Sequence, residues 1–155
     1  MKLRLINCDP NRRREIRAAI NFYAQKLFSD RMMKHLDFRI EFVPDMKRKR
    51  KLLGEIYAYS QKRKRRFAIN IAQDTSLKSQ LMSIAHEMAH ARQYARNEMI
   101  EIGKHITRWH DKKIVERSIV YWDRPWEIDA RGWETGLYVQ WRLVKKKLLI
   151  DKTSR

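Results

Sequence analysis

Cysteine, glycine and proline are all scarce in this chain of 155 residues, which contains one, four and three of them respectively. Because Cys8 is the only cysteine, no disulfide can form within the chain, and this fits a reducing compartment such as the cytoplasm. The few glycines and prolines form no linker, and no internal repeat is present. We therefore expect a single domain over residues 1–155.

Long apolar runs are also missing. No run approaches the roughly 20 residues that a membrane-spanning helix needs, and residues 1–7 are too short and too polar a stretch to be a signal peptide. Hydrophobic residues nevertheless make up 43% of the chain, which excludes the composition typical of disorder. We expect a soluble, cytoplasmic protein without a membrane partner, and the sequence leaves its oligomeric state open.

Acidic residues are few relative to basic ones: 18 Asp and Glu stand against 36 Lys and Arg, a formal net charge of +18. A positive field of this size attracts polyanions. If two basic runs share one end of a sheet, they form a patch for non-specific nucleic-acid contact, whereas the alternative is a solvated surface. The candidate nucleic-acid-binding residues are Lys47, Arg48, Lys49, Arg50, Lys51, Lys62, Arg63, Lys64, Arg65 and Arg66.

Hydrophobic periodicity predicts an α+β fold with a small antiparallel or mixed sheet. Period-two patterns predict strands over 2–6, 37–43, 55–60 and 67–72, with the basic runs in turns of an antiparallel meander. Helical spacing predicts helices over 11–29, capped by Asn11, and over about 77–97, capped by Thr75 or Ser76. Pro125 suits the first position of a last helix to about residue 149. Residues 98–123 show no clean period and are predicted to form an irregular loop, with a short strand at 119–122.

The second predicted helix carries the motif His86-Glu87-Met88-Ala89-His90. Two histidines four residues apart on a helix project from one face, separated by about 6 Å of rise, so both can reach one Zn²⁺ ion. Glu87 lies beside the metal position, where it can take a proton from water and return it to a leaving amine. The alternative is a helix with two partly exposed histidines and a surface glutamate.

A catalytic zinc site needs a third protein ligand. A second helix bearing a glutamate completes the usual set of two histidines and one glutamate, and Glu127 opens such a helix. A glutamate in a first helical turn is also simply favoured by the helix dipole. The candidates that follow the motif are His105, His110, Glu116, Asp123, Glu127, Asp129 and Glu134.

The segment from Tyr121 to Leu137 contains Pro-Trp-Glu-Ile-Asp-Ala and resembles the second half of small zincin metallopeptidases from bacteriophage genomes, where H-E-x-x-H precedes a Pro-Trp-Glu-Ile-Glu-Ala-like segment. Its Glu-x-x-Ala part, Glu127 to Ala130, also resembles the third-ligand helix of gluzincins of the ImmA/IrrE and minigluzincin types. The resemblance covers about residues 76–137. It implies a zincin-like fold, a zinc-dependent metallopeptidase, Glu127 as third ligand and Glu87 as general base.

Two further roles concern residues outside the H-E-x-x-H motif. The thermolysin-like group has an aspartate four residues after its third ligand, but this chain has Arg131 there, so we predict that Asp129 orients a ligand histidine. Tyr121 and His110 are the preferred candidates to stabilise the oxyanion, ahead of His105 and Arg131. The alternative for Tyr121 is that it is simply an aromatic residue that packs against its neighbours.

Three functions are compatible with this sequence. The first is hydrolysis of a protein or peptide substrate, and the second is the same reaction on proteins recruited with nucleic acid by the basic runs. The third is a basic nucleic-acid- or protein-binding module whose zincin core is not catalytic.

Overall fold

The structure is a computed structural model that describes residues 1–58 and 65–153, with side chains to residue 147. It is an α+β arrangement in which helices pack on one face of a mixed four-stranded sheet. The strand order is β1-β2-β4-β3. The four strands are β1 (Lys2–Ile6), β2 (Asp37–Val43), β3 (Gly54–Ala58) and β4 (Arg66–Ala72).

The direction of these strands differs from the predicted meander. β1 and β4 both pair with β2 in parallel, and β3 alone is antiparallel, on the far side of β4. The pairs Phe38–Phe67 and Ile40–Ile69 lie in register at the centre of the sheet. Strand order depends on such distant pairings, and the alternation within a single strand carries no information about them.

Alternation within β2 nevertheless separates the two faces of the sheet as the sequence predicts. Phe38, Ile40 and Phe42 are buried, whereas the intervening residues are half-buried and form surface ion pairs such as Arg39–Glu41. The buried face is covered by two helices, α1 (Pro10–Leu27) and α4 (Leu77–Ala95). A short helix, α2 (Asp30–Met33), follows α1.

The two long helices begin with side-chain caps. Asp9, not the predicted Asn11, caps α1 by accepting a hydrogen bond from the Asn11 backbone N–H, because Pro10 already occupies the first helical position. Ser76 caps α4 by accepting from the Ser79 backbone N–H. Thr75 instead donates its hydroxyl to the Ala72 carbonyl, so the two candidates have separate roles.

Residues 47–51, predicted to lie in a turn, belong instead to the short helix α3 (Met46–Arg50) and its C-cap, Lys51. The prediction of an irregular loop after α4 is also wrong. Three short strands form a second, antiparallel sheet: β5 (Met99–Gly103), β6 (Ile106–Trp109) and β7 (Lys112–Val115). Residues 119–122 form no strand, since Tyr121–Asp123 is a 3-10 turn. His105 and His110 take the left-handed conformation in the two hairpins, in place of the glycine or asparagine that usually marks such turns.

The last helix, α5 (Pro125–Thr153), begins at Pro125 as predicted. It packs along α4 and also contacts α1, and the first turn of α5 faces the C-terminal half of α4. Trp126 and Ala130 are buried on this face. Two sequence-distant helices are thereby held side by side, and this packing brings the residues of the candidate site together.

Candidate metal centre

Helix α4 presents His86 and His90 from one face, as their spacing of four predicts. Their Nε2 atoms lie 3.1 Å apart, and the two rings are nearly perpendicular at 85°. His90 is buried and His86 is largely so. The two ring nitrogens therefore converge on one point beside the helix.

Glu127, in the first turn of α5, completes this group. Its Oε2 lies 3.3 Å from His86 Nε2, and its Oε1 lies 3.5 Å from His90 Nε2. Among the described residues, these three form the one cluster of histidine, cysteine or acidic side chains whose donor atoms all lie within 4.8 Å of one another. All three are candidate ligands in the sequence analysis, and the packing of α5 on α4 brings them together.

Contacts of the Nδ1 atoms indicate the tautomers of the two histidines. His86 Nδ1 lies 3.2 Å from Glu134 Oε2, and His90 Nδ1 lies 2.8 Å from Gln93 Oε1. The Gln93 amide is itself oriented, because its Nε2 donates to the Trp126 carbonyl at 2.9 Å. Both Nδ1 atoms thus face acceptors and carry the proton, so both Nε2 atoms point their lone pairs inward.

With neutral imidazoles and no metal, this arrangement would place two lone pairs and a carboxylate against each other with no donor between them. Glu127 Oε2 is buried and makes no hydrogen bond of normal geometry. Buried acceptors that face one another are costly unless a cation or a proton lies between them. The donor set fits a divalent metal such as zinc, which takes nitrogen and oxygen ligands of this kind.

Asp129 does not contact either histidine, contrary to the predicted role. It accepts hydrogen bonds from Gln93 Nε2 at 2.8 Å and from Arg92 at 2.6 Å, so it acts on His90 only through Gln93. Glu134 takes the predicted place of Asp129, on His86. The sequence offered a signal for this, because Glu134 follows Glu127 by seven residues, or two helical turns, on the same face of α5.

Glu87 is more than nine-tenths buried and has no hydrogen-bond partner within the described part of the chain. It packs against Gly54 at the start of β3, where a Cβ would lie only 2.7 Å from Glu87 Oε1. Burial raises the pKa of Glu87 to about 7, against the opposing effect of His90 and His86. A carboxyl group poised in this range can both accept and return a proton near neutral pH.

Two of the three candidate ligands, His86 and Glu127, have shifted pKa values without a metal present. Burial disfavours the charged form of His86, but hydrogen bonds to Glu127 and Glu134 outweigh it and raise the pKa to about 9. The pKa of Glu127 is lowered well below its usual value, because the two histidines outweigh its burial. The metal-free site therefore holds a proton that an incoming cation must displace.

A cleft of about 260 Å³ opens over this group of residues. One side is the start of β3, the base is α4, and the other side consists of the second sheet and the 3-10 turn before α5. Its lining residues are Leu52, Gly54, Glu55, Ile56, His86, Glu87, His90, Tyr94, Met99, Glu101, Thr107, Glu116, Tyr121, Arg124, Trp126 and Glu127.

The two candidates for oxyanion stabilisation lie in different places. Tyr121 lines the cleft, and both burial and interaction with Glu127 raise its pKa, so its phenol stays protonated as a donor. His110 does not line the cleft, because it lies at the exposed β6–β7 hairpin against Trp109. His105 occupies the other hairpin and is also exposed, while Arg131 lies over the Trp122 ring at 3.6 Å.

The described basic residues do not form the single patch that the sequence allowed. Lys47 to Arg50 are exposed on α3, which with Lys51 leads into the start of β3. Arg65 and Arg66 lie at the opposite end of that strand pair, since β3 and β4 are antiparallel. Lys62, Arg63 and Lys64 lie outside the described residues. Arg48 and Arg50 are also ion-paired, with Asp45 and Glu55.

Comparison with known proteins finds no similar protein. No family model matches the chain, and no curated protein and no solved structure matches it significantly. Among the described residues, no helix combines the length and the apolar character needed to cross a bilayer. The geometry of the cleft is therefore the basis on which a function can be inferred.

Proposed function

We propose that this protein is a zinc-dependent metallopeptidase. The observation that supports this most strongly is the convergence of His86 Nε2, His90 Nε2 and Glu127 at 3.1–3.5 Å. Both imidazole rings are held in this orientation by contacts of their Nδ1 atoms. Tetrahedral zinc with bonds of about 2.0–2.1 Å separates its ligand atoms by about 3.3 Å. The donor atoms thus need only small adjustments to bind the ion.

The other residues of the cleft supply proton transfer and positioning. Bound zinc would lower the pKa of a coordinated water and polarise the peptide carbonyl. Glu87 accepts a proton and later delivers it to the leaving amine. Tyr121 donates a hydrogen bond to the developing oxyanion. Among the described residues that line the cleft, carboxylates outnumber guanidinium groups, which favours a peptide over a phosphodiester substrate.

Strand β3 is the part of the cleft suited to hold an extended peptide. Among the described strands it pairs only with β4, so its other edge has unpaired backbone groups. Leu52, Gly54 and Ile56 on this segment line the cleft beside Glu87. A peptide that adds to this edge by backbone hydrogen bonds would place its carbonyl groups near the ligand histidines.

The resemblance to phage-type zincins supports the same proposal. It implies a small antiparallel or mixed sheet, a helix bearing H-E-x-x-H packed on it and a later helix that carries a glutamate ligand, and an α+β fold with a mixed sheet is compatible with that expectation. This agreement is an argument by analogy of fold and carries less weight than the site itself.

Metal content and peptide hydrolysis, measured together, test the proposal. The purified protein should contain one zinc per chain and should cleave an unbiased peptide library. Glu87→Gln should retain zinc and lose cleavage by at least 100-fold. Glu41→Gln makes the same change outside the cleft and should behave as the unchanged protein. A zinc-free protein, or full activity in Glu87→Gln, would refute the proposal.

A second candidate function is nucleic-acid binding, alone or as recruitment of the peptidase to nucleoprotein. It is favoured by the exposed residues 47–50 on α3 and by the net charge of +18. Binding of this kind should weaken steeply with salt. If Glu87→Gln keeps the biological function of the protein but neutralising residues 47–50 abolishes it, the protein acts as a binding module and not as a peptidase.

A further inference from the structure

A groove of about 590 Å³ lies between the first half of α4 and the second half of α5, beside α1. Because Glu127 at the start of α5 contacts His90 late in α4, later residues of α5 face earlier residues of α4. Leu77, on one wall of the groove, precedes His86 by nine residues, or about 13 Å of helical rise. No residue lines both this groove and the cleft over the metal centre, so the groove is a separate site.

The floor of the groove is apolar. Leu81 and the Tyr138 ring, both buried, line it together with half-buried Leu77. Leu143 lies beside them on α5 and is 63% exposed. A single exposed leucine is ordinary on a protein surface. Here it adjoins an apolar floor, so one inserted side chain would remove both from water.

The rim of the groove is basic. Lys78 stands on the α4 wall, and Arg142 and Lys146 stand on the α5 wall. None of these three forms an ion pair within the described part of the chain. Glu15 is the one acidic residue among the described lining residues, and it is paired with Lys145. Unpaired positive charge on both walls suits a ligand with more than one carboxylate.

A pair of hydrogen-bond donors within the groove supports the same ligand chemistry. Arg142 Nη1 donates to the Tyr138 hydroxyl at 3.2 Å. Tyr138 is more than nine-tenths buried, and its own O–H donates to no group among the described residues. A buried donor without an acceptor is costly. A carboxylate placed here would accept from the phenol and from the remaining N–H groups of the guanidinium.

We propose that this groove binds an acidic, leucine-containing segment of a partner protein. An apolar side chain of the segment covers Leu81 and Leu143, and its carboxylates reach Arg142 on one wall and Lys78 on the other. The net charge of +18 draws such a segment toward the protein from a distance. This interaction does not depend on the metal centre or on peptidase activity.

Other ligand classes match fewer of these features. A fatty acid carries one carboxylate, whereas unpaired cations stand on both walls. Nucleic acid supplies anions but no aliphatic group for a floor made largely of leucine. A bilayer surface is flat, and the apolar floor lies at the base of a concave groove. A peptide segment with both acidic and apolar side chains fits the charge, the floor and the shape together.

Selection from a peptide library tests the recognition without a known partner. Displayed peptides randomised over leucine, glutamate, glutamine, lysine and alanine are selected on the Glu87→Gln protein, so that the proposed hydrolysis does not remove them. The best binder is then measured by fluorescence anisotropy at physiological salt. Replacing its glutamates by glutamine, or its leucines by alanine, should each weaken binding at least tenfold.

Matched variants locate the binding surface. Arg142→Gln and Leu143→Gln alter exposed side chains, so thermal melting should change little, and each should weaken peptide binding about tenfold. Tyr138→Phe keeps the buried ring, removes the unused donor and should weaken binding about 3- to 10-fold. Arg31→Gln removes the same charge from an exposed arginine outside the groove and should bind as the unchanged protein does.

Each result decides the proposal. Equal losses in Arg31→Gln and Arg142→Gln would show attraction by net charge alone and would overturn it, as would selected peptides that lack either glutamate or leucine. Phosphatidylglycerol vesicles or an oligothymidine that bind through Arg142 and Leu143, when no peptide does, would assign the groove to a membrane or to nucleic acid and overturn it. Failure of every probe to bind would also overturn it. Zinc content should be unchanged in all of these variants, so the metal centre is tested separately.

Discussion

Replacing Gly54 by alanine tests how closely the proposed catalysis depends on the position of Glu87. The added Cβ would lie 2.7 Å from Glu87 Oε1, 3.1 Å from its Cγ and 3.3 Å from its Cδ. Because all three contacts are with Glu87, the whole side chain must retreat, with Oε1 about 0.7 Å short of an ordinary contact at 3.4 Å. Gly54 does not have a left-handed backbone, so alanine introduces no strain of its own.

A displacement of this size is large for the catalytic base that we propose Glu87 to be. Misplacing a reacting group by about 1 Å can cost about 100-fold in rate, so we expect Gly54→Ala to lower kcat by 10- to 100-fold. Zinc content should be unchanged, since Gly54 contacts none of the three ligands. The crowding should lower the free energy of unfolding by about 1–3 kcal/mol.

The assay measures kcat and KM, zinc per chain and thermal melting on the same preparations. Gly132→Ala is the matched control, because a Cβ there meets nothing within 4 Å. It should keep full activity and gain about 0.5–1 kcal/mol from better helix propensity. Full activity in Gly54→Ala would refute the reasoning, since Glu87 would then tolerate a shift that general-base catalysis does not allow.

Three further predictions concern the groups around the ligands. Glu134→Gln should weaken zinc affinity by about 10- to 100-fold in competition with a chelator, because it removes the charge that holds His86; unchanged affinity would refute that role. Tyr121→Phe should lower kcat by about 100-fold at constant zinc content, and an equal rate in both proteins would remove Tyr121 from catalysis. In the metal-free protein the pKa of His86 is raised to about 9 from an ordinary value near 6.5. Its contribution to stability is therefore complete below pH 6.5 and is lost as the pH rises through 9, by up to about 3 kcal/mol. Chemical denaturation across this range should show the decline, and His86→Gln should not.

The sequence predicts the elements of this site better than their assembly. The α4 helix and its histidine pair depend on spacings within a few residues, and these are visible in the chain. Glu127 was singled out by its helix and by the resemblance to phage-type zincins. Glu127 lies 41 positions after His86 in the chain. Its closeness to His86 in space depends on the packing of α5 against α4, which no local pattern specifies.

The parts that were missed have physical reasons as well. Strands β5 to β7 are short, and their hairpins have histidines at the left-handed positions, so the usual turn signals are absent. Parallel pairing of β2 with β4 is decided across the core. Glu101 and Glu116 reach the cleft from separate segments, and in the sequence they are two of 18 acidic residues with nothing to mark them.

An anomalous-difference map at the zinc edge, from crystals of the protein purified without added chelator, tests the metal centre most directly. One strong peak should lie within about 2.0–2.2 Å of His86 Nε2, His90 Nε2 and a carboxylate oxygen of Glu127. A peak bound elsewhere, or zinc-soaked crystals with no peak between these three side chains, would contradict the proposed metal centre and with it the peptidase.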